Sequence, residues 1–169
     1  MKRLMVLGLM LLVGLCAIGL AHAESASDTV GVLITVDPSF TFAIGESVVD
    51  MGTVAEGAAG SGSITMYCGT NHNLPWTVQV KSSTIVAGAN QIPLSNFKFY
   101  TFGAGDQAGE GTFVDTATAL TQIDQLAYTA NVNEKSDTDV RVAMGFVLDV
   151  PYGTPSGTYA STVTATMTE

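Results

Sequence analysis

The chain has 169 residues, with 15 Asp+Glu against 6 Lys+Arg and a formal net charge of −9. That balance argues against nucleic acid and against anionic membrane surfaces as partners. Charged residues make up only 12% of the sequence, so Thr, Ser, Asn and Gln must supply most polar surface, as suits strands with hydroxyl-rich outer faces.

Residues 1–23 read as a cleaved signal peptide. Lys2 and Arg3 form a basic start, Leu4 to Leu20 is apolar, and Ala21-His22-Ala23 gives the small-x-small cleavage pattern. Cys16 follows Leu15, where a lipoprotein would carry a small residue, and is read as discarded with the leader. Its loss would remove Lys2 and Arg3, moving the net charge from −9 to −11. What remains, 24–169, is expected to be a single domain with its own core, secreted, periplasmic or at the cell surface, and off the membrane once the signal is cut. Cys68 is then the one cysteine left, and a small buried strand residue is the expected role.

Short Val/Thr/aromatic runs separated by Gly, Pro, Asn and Asp predict strands throughout, with no long helix. The first run, about 29–36, places Val30, Val32, Ile34 and Val36 on one face and ends at Asp37-Pro38. Phe40, Phe42 and Ile44 form a second run and Val48 to Val54 a third, followed by a small-residue loop from Gly57 to Gly62. Ser63–Lys81 reads as two strands, Ile64, Met66 and Cys68 sharing one face and Trp76, Val78 and Val80 facing inward on the next. Phe97 to Phe102 is aromatic on both faces, either central between layers or partly exposed. Gly103 to Gly111 is a loop, with weaker strands at 112–114 and 125–130.

The cleanest alternation is Val140, Val142, Met144, Phe146, Leu148 and Val150. Its opposite face is small in the middle, at Ala143 and Gly145, which predicts close contact with a neighbour there. After Pro151 and Pro155 a last strand carries Tyr159, Val163, Ala165 and Met167 between threonines. The expected fold is all-β: a two-sheet antiparallel immunoglobulin-like sandwich of about nine or ten strands. Such a topology would set the first and last strands side by side and seal one edge.

Catalytic chemistry finds little support, and no catalytic residue is assigned. His72 and Cys68 are four residues apart with no orienting third group, and Gly60-Ser61-Gly62-Ser63 lacks the strand–turn–helix setting of a nucleophile elbow. No glycine run leads into a phosphate-binding helix. Calcium is the one metal weighed, with Asp106, Glu110 and Asp115 around one loop and Glu134, Asp137 and Asp139 near another. Neither set completes a known calcium loop, and solvated loop charge is the expected reading; no metal or cofactor is assigned. Trp76 shares a face with Val78 and Val80 and reads as core, whereas Tyr100 and Phe102 alternate away from Phe97 and Phe99 and are the candidates for ligand contact.

The segments Val49-Asp50-Met51-Gly52-Thr53-Val54, Ser63-Ile64-Thr65-Met66-Tyr67-Cys68 and Pro155-Ser156-Gly157-Thr158-Tyr159 follow an alternating first strand. Together they resemble the spore coat protein U-like domains, which are similar to archaic chaperone–usher pilins. The chain departs from that pattern in having no second cysteine between residues 24 and 50, and Met51 where an aromatic is usual. The resemblance implies a subunit that lacks a final strand and accepts an N-terminal extension from its neighbour by strand addition. Val30, Val32, Ile34 and Val36 have the needed spacing, although the short Asp37-Pro38 connection favours packing within the chain. The expected function is a non-enzymatic exported surface subunit, structural or adhesive, whose assembly strands carry Val30, Val32, Ile34, Val36, Tyr159, Val163, Ala165 and Met167. Its partners would be copies of itself or other surface proteins. The alternative is a monomeric extracellular binding module for carbohydrate or calcium, using the 103–111 loop and Tyr100.

Overall fold

The computed structural model describes residues 30–72, 74–131, 134 and 140–169; the expected signal peptide, Asp137 and Asp139 lie outside them. A leading segment ends at Val36, and a compact unit spans Asp37–Glu169. That unit is a sandwich of antiparallel sheets, as the alternation predicts. One sheet has the order β1 (Phe40–Ile44), β2 (Ala59–Thr70), β10 (Val140–Asp149), β6 (Phe97–Gly103), β8 (Thr118–Ala119). The other runs β11 (Val163–Thr168), β3 (Thr77–Ser82), β9 (Gln125–Thr129), β7 (Thr112–Phe113). A small hairpin, β4 (Ile85–Ala87) and β5 (Asn90–Ile92), turns at Gly88 (φ 60°) and is tied to the chain near Ala160 through Val86.

Period-two patterning explains the core. Ile64, Met66 and Cys68 on β2, Val142, Met144 and Phe146 on β10, and Phe97 and Phe99 on β6 point inward from the first sheet. Val78 and Val80 on β3, Tyr128 on β9 and Met167 on β11 meet them, together with Trp76. Cys68 is fully buried on its strand, as expected.

Five expectations need correcting. Residues 30–36 form no strand, and Val30, Val32, Ile34 and Val36 are exposed. Residues 48–54 form none either, because their apolar side chains are used against β2 instead of in a ladder. Val49 packs over Gly62, and Val54 and Met51 over Gly60, where a Cβ would collide with them. For the same reason Ala59 to Gly62 is the start of β2, not a loop; glycine lets the covering segment close on the strand. The last strand starts at Val163, and Tyr159 instead turns back so that its hydroxyl donates to Pro155 O at 2.9 Å. That contact resembles the tyrosine corner of immunoglobulin-type sandwiches. Finally, the expected first strand seals no edge with the last: residues 30–36 form no strand, and β11 pairs with β3 alone among the described residues.

The two sheets are joined across the flank where β6 lies over β9. A register shift between Val78 and Gln79 leaves Ala127 out of the β3–β9 ladder. Its carbonyl accepts the Thr101 hydroxyl at 2.7 Å, and that hydroxyl accepts Val114 N–H at 2.8 Å. Thr101 is itself buried on β6, so both bonds form away from water. Thr101→Val keeps the shape but strands an acceptor and a donor, and should cost about 2–5 kcal/mol, whereas Thr101→Ser should cost about 1 kcal/mol. Urea unfolding of the two variants measures the difference.

Candidate functional site

The flank opposite Thr101 is built differently. β1 is the edge of one sheet and β11 the edge of the other, and no ladder joins them among the described residues. They lie on the same side because β2 and β3 follow one another across a short turn, and β1 and β11 pair outside them. The β2 end is held to the chain terminus: Thr70 Oγ1 donates to Glu169 at 3.2 Å, and His72 Nδ1 lies 2.8 Å from the same carboxylate. The Phe40 ring stacks on His72 at 6.5 Å, so β1 reaches the same corner.

The register of β1 on β2 sets Phe40 opposite Thr70, Phe42 opposite Cys68 and Ile44 opposite Met66. All three face the sheet's inner side, yet Phe40 is 40% and Ile44 41% exposed, and Phe42 is only half-buried. Across from them Val163 and Ala165 are also half-buried. The inner face thus stays partly open to solvent where it reaches this edge. Of the predicted assembly residues, Val163, Ala165 and Met167 thus line this flank, Tyr159 does not belong to β11, and Val30, Val32, Ile34 and Val36 stand exposed on residues 30–36. Asn71 fixes the chain just before β1: its Nδ2 donates to Asp37 O at 2.8 Å and its Oδ1 accepts Ser39 N–H at 2.7 Å.

The outer face of the first sheet carries the other candidates. Phe97 and Phe99 are buried, Tyr100 is half-buried and Phe102 is 43% exposed, as their alternation predicts. Gly145 pairs with Tyr100, and the tyrosine ring lies where a Cβ on that glycine would be. This is the close neighbour that the small middle of β10 predicts. The Tyr100 and Phe102 rings are nearly parallel, 23° apart with centroids at 5.8 Å. One rung further along β10, Arg141 pairs with Tyr67 and its guanidinium lies 5.7 Å from that ring's centre. Sequence reasoning missed Arg141 and Tyr67, whose meeting depends on the register between β2 and β10.

The loop candidates do not converge. Asp106, Glu110 and Asp115 are all exposed, and among the described residues no three carboxylate, His or Cys groups gather as a metal site. Glu134 is committed to the fold: its carboxylate accepts Tyr128 O–H at 2.6 Å and the N–H groups of Glu110 and Asn131 at 2.8 Å each. Its carbonyl accepts Trp76 Nε1–H at 3.1 Å, so Trp76 is a buried strut and no ligand platform. His72 is engaged by Glu169. No protein-family model matches the chain, and no curated protein is significantly similar to it.

Burial, and then the bond to Glu134, push the Tyr128 phenol well above its ordinary value of 10.0; the N–H of Gly111, which donates to it, acts in the opposite sense. A raised folded-state pKa contributes stability that is complete below the unfolded value and is lost as pH rises beyond it. The stability advantage of the wild type over Tyr128→Phe should therefore hold up to about pH 10 and shrink above it. Urea midpoints of both proteins from neutral to alkaline pH test this.

Proposed function

We propose that the chain is a non-enzymatic exported surface subunit that assembles by strand addition, the exposed run 30–36 of one copy covering the open flank between β1 and β11 of the next. The observation that carries this reading is the exposure of side chains that face inward. Phe40 and Ile44 belong by register to a sandwich interior but remain about two-fifths exposed. The side of β11 away from β3, which carries no ladder among the described residues, would offer backbone donors and acceptors to an incoming strand.

Magnitudes support an intermolecular role for the run. Burying Val30, Val32, Ile34 and Val36 yields roughly 6–12 kcal/mol, at about 1.5–3 kcal/mol each. Ordering seven backbone residues costs roughly the same, at about 1–2 kcal/mol each. The run therefore gains little by becoming a strand unless the surface it covers gains burial as well. The flank supplies that gain through Phe40, Phe42, Ile44, Val163 and Ala165. Resemblance to spore coat U-like and pilin-like domains supports the same reading, as does the alternation of the run itself. A structural or adhesive role at the cell surface accords with the leader-like start of the chain.

A synthetic peptide covering residues 29–37 should bind the purified protein and raise its melting temperature, by the equivalent of about 2.7 kcal/mol at a hundredfold excess over Kd. A peptide with aspartate at positions 32 and 34 should do neither. In the whole protein, Val32→Asp with Ile34→Asp should abolish oligomers seen by light scattering and leave the circular dichroism unchanged. A wild-type protein that stays monomeric at high concentration and ignores the peptide would rule the reading out.

A further inference from the structure

We propose that the outer face of the five-stranded sheet binds a carboxylate-bearing saccharide, its ring stacked on Phe102 and Tyr100 and its carboxylate held by Arg141. This surface lies on the side of the sheet away from the core, so it stays open whether or not the flank between β1 and β11 is covered.

The platform is shaped for a flat ligand. Tyr100 lies down across Gly145 because that residue has no Cβ to lift it. Phe102 pairs with Ala143, the next small residue of β10, and holds its ring within 23° of the tyrosine plane. The two rings stack as a pair with a polar border, since Ser63 and Thr65 project from the same face of β2. A sugar ring has this same character, with C–H groups on its flat side and hydroxyls around its rim.

Charge decides which sugar. Arg141 makes no ion pair with any carboxylate among the described residues, although the chain carries 15 Asp+Glu. Its Nε is buried and has no hydrogen-bond partner. The guanidinium is held by the Tyr67 ring on one side, and Gly105 of the adjoining loop borders it on another. That loop is docked firmly, because Ala104 N–H and Gly109 N–H both donate to Arg141 O, at 3.4 and 3.2 Å. A guanidinium that pairs with no carboxylate among the described residues, in an acidic protein, is matched by a ligand carboxylate, which its planar fork can hold through two parallel bonds. Arg141 stands one rung from the Ala143–Phe102 pair, about 6.7 Å along the strand. A carboxyl group on a sugar stacked over Phe102 can span that gap.

Isothermal titration calorimetry of the purified protein with hexagalacturonate and with neutral cellohexaose tests the assignment. The uronate should bind and the neutral chain should bind about tenfold more weakly or not at all. Phe102→Ala and Arg141→Gln should each weaken uronate binding about tenfold, with Arg141→Lys falling between. Phe102 is exposed, so its variant should keep the wild-type melting temperature and separate lost contact from lost fold. The proposal is overturned if the uronate fails to bind, if both sugars bind equally, or if Phe102→Ala leaves affinity unchanged. It is also overturned if these variants alter only the oligomeric state, which would make the face a contact between copies of the chain.

Discussion

One hydroxyl holds the two sheets together where they close. Thr101 joins the first sheet to the second by donating to a carbonyl that a bulge in β9 sets free, and it accepts an N–H from the segment after β7. A buried carbonyl without a partner would cost as much as several packed methyl groups stabilise. The bulge is therefore tolerable only with Thr101 beside it, and Thr101 is tolerable in the core only with the bulge. This reciprocal need fixes β6 over β9 and, through the shared ladders, the alignment of every other strand.

That alignment also explains what is left unfinished. With β6 fixed over β9, the sheets run out at β1 and β11 on the far side, where inward-facing Phe40 and Ile44 remain about two-fifths exposed. The same chain carries an uncovered run of alternating valines and isoleucine before β1. Each feature alone is an exposed apolar surface of the kind that promotes aggregation. Under the proposed strand addition the run of one copy would supply side chains and backbone partners to the flank of the next.

Polar chemistry divides in two. Near Tyr128, Glu134 is used up in holding Asn131, Glu110 and Tyr128 in place, which removes this part-buried carboxylate from any ligand role. On the outer sheet face Arg141 is held but not satisfied. The difference lies in the number of partners. Glu134 has several donors, whereas the guanidinium lies against an aromatic ring, pairs with no carboxylate among the described residues and has a buried Nε without a partner.

The sequence by itself determined the strand character of the chain, the inward set on β10, the burial of Cys68 and Trp76, and the outward aim of Tyr100 and Phe102. All of these follow from a side-chain period of two, which needs no knowledge of neighbours. It misread residues 30–36 and 48–54 as strands of the domain, because alternation shows that a segment suits a sheet and not that a sheet edge is there to receive it. Only the tertiary structure decided which edges stay open, that Val49 and Met51 cover glycines instead of pairing, and that Arg141 meets Tyr67. Those outcomes depend on strand order and register, which are set by contacts between residues far apart in the chain and leave no local trace.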